Sequence, residues 1–328
     1  MAPIKVGLIG YGSSTKVFHL PWILPNDDFH VHAFLQRAEA PKGPVEPGKH
    51  CTMLTELVIV CTKHDTHFHF AELALKAGEH VVVEKPFTIT TAEADKLIAL
   101  SKQTGKVLTC YQNRRYDSDF RTLQALVQQG AFGKITEFIN HYDLDNPPWI
   151  HYDKPAEAGD GLLFGLGSHS IDQTIQLFGL PKTIFATKRS TLKDLLVTIK
   201  TSVVNPMSVH KIPKFSIRGT HGSYFKTGED PQIEQLLELG MKPTDEKFGE
   251  EPEKYHGYLT TRKDDGGKFD GVVKSRKGSY VDYYKDLVKA IRGEAELVVK
   301  PEESRNVIRL IELANESAEK GVLVEWKD

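Results

Sequence analysis

Ile4-Lys5-Val6-Gly7-Leu8-Ile9-Gly10-Tyr11-Gly12-Ser13-Ser14-Thr15 opens the chain almost at its first residue. A short apolar run that breaks off into glycines is a strand-to-turn signature. The pattern is that of a dinucleotide fingerprint with Thr15 where a third glycine would stand. Gly10 would make the tight turn, and Gly12 would let the backbone approach a pyrophosphate in front of a helix N-terminus. Taken alone, Gly-x-Gly is an ordinary strand–helix turn. Its place directly after the first strand of a βα series favours the nucleotide reading.

That series continues downstream. Phe29 to Leu35 reads as a second strand, and Leu57 to Cys61 as a buried one. A helix is expected over 66–77, with Asp65 as its N-cap and Gly78 closing it. Val81-Val82-Val83 is the next strand. Thr90 and Glu93 then form a capping box ahead of a helix with Ala94, Leu97, Ile98 and Ser101 on one face, ended by Gly105. Val107 to Tyr111 is a further strand. Alternating strands and helices imply a doubly wound parallel sheet, a Rossmann domain over residues 1–117. After residue 117 the rhythm changes. A helix from Phe120 to Gln129 leads into an alternating strand over Ile135 to Leu144, then hairpins with a turn at Asp264-Asp265-Gly266-Gly267. Two helices, from near Ser279 and from Pro301, precede a last strand at Val322 to Val324. Residues 118–328 therefore read as an α+β substrate and dimerisation domain.

The 328 residues carry 42 Lys+Arg against 44 Asp+Glu, a net charge of -2. This balance argues against a nucleic-acid partner, which a basic excess would serve. The longest apolar runs are strand-length, far below the ~20 residues of a membrane span. Strand signals at the N-terminus leave no room for a signal peptide. The three cysteines, Cys51, Cys61 and Cys110, are too widely spaced for a zinc or disulfide framework, which favours a reducing, cytoplasmic setting. A small-molecule enzyme fits all of this.

Two further places carry chemistry. The second strand ends Leu35-Gln36-Arg37, without the acid that reads the ribose of NAD. The Arg37 guanidinium suits a 2′-phosphate, so NADP is expected, with NAD as the alternative; a solvated surface arginine is the bland reading. Glu84-Lys85-Pro86 falls where a parallel strand ends, the ligand-binding edge of open α/β sheets. Beside apolar walls and a cationic ring, Lys85 becomes a usable proton donor or acceptor, with Glu84 to orient it. By default it is a surface lysine in a loop.

The ordered set Gly10-x-Gly12, Glu84-Lys85-Pro86, Asn113-Arg114-Arg115-Tyr116-Asp117, Gly159-x-Gly161 and Gly167-Ser168-His169-x-Ile171-Asp172-Gln173 resembles the Gfo/Idh/MocA oxidoreductases. Within them it is similar to the NADP-dependent scyllo-inositol dehydrogenase-like branch. The resemblance continues through Gly219-x-x-Gly222-Ser223 and Gly278-Ser279-Tyr280-x-x-Tyr283-Tyr284 to Asn306-Val307-Ile308-Arg309. It implies a Rossmann domain followed by a large, mostly antiparallel open sheet whose free face makes dimer contacts. It also implies hydride transfer between nicotinamide and an inositol, sugar or sugar acid. By position, Gly10, Gly12, Ser13, Ser14, Thr15, Arg37, Thr62, His67, Glu84, Lys85 and Asn113 would serve the cofactor. Arg114, Asp160 and His169 would serve the substrate, with Lys85 and His169 catalytic.

Three departures from the family pattern stand out. Gly165 occupies the place, one helical turn before His169, where the family carries an Asp; Asp160 is the nearest acid in sequence. The stretches 38–57 and 190–203 look short. The missing acid keeps a second reading open, a cofactor-binding sensor or regulator of the same fold with impaired catalysis. His64-Asp65-Thr66-His67-Phe68-His69 offers imidazoles in directions that do not converge, so no metal site is expected.

Overall fold

The computed structural model describes residues 1–36, 55–144, 159–186, 196–202, 207–262 and 266–327. Arg37, Cys51 and the turn residues Asp264 and Asp265 lie outside these, as do most of the stretch 38–57 and much of 190–203. By internal contacts the chain divides into two units, Met1–Tyr111 with Val281–Arg305, and Gln112–Tyr280 with Asn306–Asp328.

The first unit is built on five parallel strands, β1 (Ile4–Ile9), β2 (Phe29–Leu35), β3 (Leu57–Val60), β4 (His80–Val83) and β5 (Leu108–Cys110), in the order β2-β1-β3-β4-β5. The chain runs from β1 outward to β2 and then back across to β3. The C-terminal ends of β1 and β3 therefore flank the point where strand order reverses, the ligand-binding crevice of such sheets. Val6, Leu8, Leu57, Ile59, Val60 and Val81 to Val83 are buried because both sheet faces are covered.

Within residues 1–111 this unit carries three α-helices. A widened π-type turn over Thr15–His19 runs into α1 (Leu20–Ile23); α2 is His67–Lys76 and α3 is Thr91–Thr104. At α3 the capping box forms as expected: Thr90 Oγ1 accepts from the Glu93 amide, and Glu93 accepts from the Thr90 amide. Gly105 closes the helix at φ 67°. The expected cap of α2 is corrected. Asp65 lies inside a short 3₁₀ turn, His64–Thr66, and Thr66 occupies the N-cap with no side-chain cap bond. Its hydroxyl bonds Thr62 Oγ1 and the Lys63 carbonyl instead. A 3₁₀ lead-in moves the first α-helical residue to His67.

In the second unit, α4 (Ser118–Gln128) precedes a six-stranded sheet of β6 (Ile135–Asp143), β8 (Leu196–Ser202), β9 (Pro213–Gly219), β10 (Gly222–Thr227), β11 (Gly257–Arg262) and β12 (Lys268–Val273). Its order is β12-β11-β10-β9-β6-β8, antiparallel except for the β6–β8 pair. The short strand β7 (Thr183–Ile184) pairs elsewhere, and α5 (Ser168–Phe178) lies between β6 and β7 in sequence. One sheet face is apolar: Phe138, Phe215, Ile217, Tyr224 and Leu259 form a core with Phe120, Leu123 and Leu126 of α4, flanked by Leu177 and Phe178 of α5. The short helix α6 is Gln232–Leu237; α7 (Tyr280–Ile291) follows, belonging from Val281 to the first unit, and then α8 (Pro301–Lys320), which joins the second unit from Asn306. The last strand, β13, is Val324–Glu325 and pairs with β7, slightly later than the apolar run alone suggests. Its limits are set by the partner strand, which periodicity does not reveal.

Candidate active-site residues

In the first unit, Gly10 sits at φ +100°, and a Cβ there would lie 2.5 Å from the Cys61 carbonyl oxygen. Only glycine lets the end of β1 turn this close to the end of β3. At Gly12 a Cβ would meet nothing within 4 Å, leaving open space in front of the helical residues 13–23. Thr15, fully buried, donates its hydroxyl to the Gly10 carbonyl at 2.9 Å and ties the turn to the helix. Ser13 and Ser14 form the first helical residues. A glycine forced by backbone proximity beside an open glycine fits a nucleotide pyrophosphate well.

Glu84 follows β4 and is buried, with three hydrogen-bonding contacts to its carboxylate. Ser14 donates to Oε1, His19 Nε2 lies 2.9 Å from Oε1, and the Lys85 amide donates to Oε2 at 2.9 Å. His19 Nδ1 is 2.6 Å from the Tyr284 hydroxyl on α7, and the ring packs 4.4 Å from that of Tyr111. Burial alone would raise the Glu84 carboxyl, but the hydrogen bond and charge of His19 outweigh it and draw it down to about 2. Burial would likewise lower His19, yet Cys61 and Glu84 beside it carry it to about 10. The pair is a buried imidazolium–carboxylate, with both ring N–H groups donating. Lys85 is half-buried and joined to Pro86 by a cis peptide bond.

His67 is fully buried, with Nδ1 2.8 Å from the Pro86 carbonyl and Nε2 3.1 Å from that of Thr62. Burial pulls its pKa below the ordinary value; a neutral ring has a single N–H and donates to one of these two carbonyls at a time. Its side chain holds backbone rather than facing outward. Cys61 and Cys110 are buried and form no disulfide, and the described residues contain no cluster of three His, Cys, Asp or Glu able to hold a metal.

In the second unit, Asn113 and Arg114 lie on a 3₁₀ turn, Asn113–Tyr116, with Asn113 buried. The neighbouring Arg115 grips Asp172 of α5 in a buried fork, Nε to Oδ2 at 2.7 Å and Nη2 to Oδ1 at 2.5 Å. Gln173 Nε2 adds a bond to the Arg114 carbonyl, and Asn140 of β6 donates to Gln173 and to the Ser170 carbonyl. These bonds fix the first turns of α5, and so His169, which is buried 6.1 Å from the Tyr142 ring with the planes 22° apart. Arg114 reaches Asp117 at 3.3 Å and Glu229 at 3.9 Å. Asp160 is exposed on a turn where Gly159 and Gly161 take positive φ. At Gly165 a Cβ would meet nothing within 4 Å, so the fold leaves room for the side chain that the chain lacks.

Sequence reading missed His19, Tyr111, Tyr142 and Lys214. A histidine within Val17-Phe18-His19-Leu20, on an otherwise apolar helical face, was the one available signal, because a polar group there needs a buried partner.

A five-stranded parallel sheet with a glycine turn at its switch point, followed by a mixed sheet and a histidine-bearing helix, defines a nucleotide-dependent oxidoreductase. Residues 4–112 match the model of the oxidoreductase family's NAD-binding Rossmann fold, and residues 124–326 that of its C-terminal alpha/beta domain. The chain belongs to the Gfo/Idh/MocA oxidoreductase family. It is 33% identical to the scyllo-inositol 2-dehydrogenase (NADP(+)) IolW of Bacillus subtilis, over 96% of this chain and 94% of that protein. It is 34% identical to the oxidoreductase YhhX of Escherichia coli, over 96% and 97%. The solved structure of the oxidoreductase YvaA from Bacillus subtilis superposes with a TM-score of 0.86 at 31% identity, covering 99% of both chains.

Proposed function

We propose that the protein oxidises or reduces a secondary hydroxyl of a polyhydroxylated small molecule, an inositol, sugar or sugar acid, with NADP as its cofactor. The observation that carries this reading is the Glu84–Lys85 pair at the end of β4, with Glu84 locked by Ser14, His19 and the Lys85 amide. When bound, the nicotinamide supplies or receives the hydride. Gly10, Gly12, Ser13, Ser14 and Thr15 hold the pyrophosphate side, Thr62 and His67 shape the neighbouring loop, and Glu84 and Asn113 border the nicotinamide. Lys85 relays the proton of the reacting hydroxyl, while His169 bonds the reacting oxygen; Arg114 and Asp160 bind substrate. Preference for NADP rests on Arg37 and on the relative IolW, whose name specifies that nucleotide.

The test is NADPH fluorescence followed across inositols, sugars and uronates, with NADH in parallel. Lys85→Met is expected to lower kcat at least about 100-fold, the scale of general acid–base catalysis, while cofactor affinity changes little. Full activity in that variant would overturn the assignment.

Gly165 favours a second reading, a cofactor-binding regulator of the same fold. Tight NADPH binding with no turnover of any panel member would select it.

A further inference from the structure

Strand β9 carries an irregularity in its pairing with β10. Against β10, Phe215 pairs with Lys226 and Pro213 with Thr227, so Lys214 is the extra residue of a β-bulge. In a regular strand Lys214 would point away from the face on which Phe215 joins the core. Bulges re-aim side chains, and this one brings the Lys214 ammonium to the helix-covered face. Nζ lies 4.1 Å from the centre of the Tyr142 ring and 5.7 Å from that of Phe215. The residue is 2% exposed, and Nζ has no hydrogen-bond partner among the described residues.

A buried ammonium without an acceptor is costly, and a ring face meets only part of its need. The neighbouring arginine differs. Arg114, 5.3 Å from the same ring, has its charge met by Asp117 and Glu229. Asp117 feels the charge of Lys214 but is engaged by Arg114 and by the Tyr280 hydroxyl at 2.8 Å. Arg114 is thus bonded directly to a carboxylate whereas Lys214 is not, and the Lys214 ammonium rests on the ring beside which His169 stands.

We propose that Lys214 anchors a carboxylate of the substrate, making the preferred substrate a sugar acid rather than a neutral polyol. The inference rests on the oxidoreductase reading above and narrows its substrate class. An ammonium with no hydrogen-bonding acceptor suits a single carboxylate; a phosphate dianion would need the second cation that Arg114 cannot release from its two carboxylates. A hydroxyl group would accept a hydrogen bond from Nζ, but a weaker one than a carboxylate accepts.

The experiment compares kcat/KM for glucuronate and gluconate with glucose and scyllo-inositol, in the wild type and in Lys214→Met and Lys214→Arg. Calorimetry of the same four compounds on the NADP-loaded protein runs alongside. The acids are expected to be preferred, with the acid-to-neutral ratio falling about 30-fold or more in Lys214→Met, the scale of one charge-assisted hydrogen bond, and partly recovering in Lys214→Arg. A wild type that prefers the neutral compounds, or an unchanged ratio in a Lys214→Met protein that melts normally, overturns the proposal. If nothing is turned over yet the acids still bind through Lys214, the oxidoreductase reading fails and the carboxylate anchor stands. If calorimetry shows no preference for the acids, the anchor fails whatever the activity.

Discussion

His19 and Glu84 form a charge pair out of water, and such pairs leave a signature in pH dependence. The His19 pKa rises from 6.5 to about 10, so its contribution to stability is complete below 6.5 and is lost as pH climbs toward 10. The Glu84 pKa falls from 4.5 to about 2, so its contribution is complete above 4.5 and is lost as pH drops toward 2. Between those limits the pair is at full strength. Urea unfolding of the wild type from pH 6.5 to 10 should show a decline of at most about 1.4 kcal/mol per pH unit from this one proton. In His19→Gln that decline should vanish, although the variant starts lower because Glu84 remains buried without its partner. Parallel slopes in the two proteins would mean that His19 is neutral in the fold. Tyr284 is 265 positions from His19, and no spacing rule connects them. Gly10 was legible for the opposite reason: a positive φ at a strand end is a local demand that only glycine meets cheaply.

Helix α5 shows how an element is placed by bonds that propensity does not encode. It continues a π-type turn, Leu163–Gly167, and its first turns are held by the Arg115–Asp172 fork and by Gln173, which bonds Asn140 and the Arg114 carbonyl. Asp172→Asn removes the carboxylate and leaves the Arg115 guanidinium buried. Loss of one partner from such a pair costs about 3 kcal/mol or more. Urea denaturation should show a lower midpoint with an unchanged m-value; a midpoint at the wild-type concentration would show that the fork contributes nothing. Helix α3 contrasts with this. Its capping box and closing glycine were readable in Thr90-Thr91-Ala92-Glu93 and Gly105, since both ends are satisfied within one turn. Asp65 misled because a 3₁₀ turn has the composition of a cap and the hydrogen bonds of a loop.

For the whole molecule the open face of the six-stranded sheet is the informative surface. Phe225, Tyr258 and Val272 are opposite one another across β10, β11 and β12, and each is about half exposed. If the homodimer expected from the family resemblance forms, this apolar row would suit its interface. Light scattering at micromolar concentration should give twice the chain mass, and Tyr258→Arg should move the protein to the monomer. A wild type that runs as a monomer would refute this use of the face.

The sequence by itself determined the parallel sheet, its glycine turn after β1 and the Glu84-Lys85 step at the end of β4. Each depends on residues within a few positions of one another, where periodicity and turn chemistry act. Tertiary structure alone decided that His19 holds Glu84, that Arg115 holds α5, and that a bulge turns Lys214 toward Tyr142. These are charges and rings brought together from distant segments. Their energy comes from removal from water, a property of the folded neighbourhood that no local stretch of sequence records.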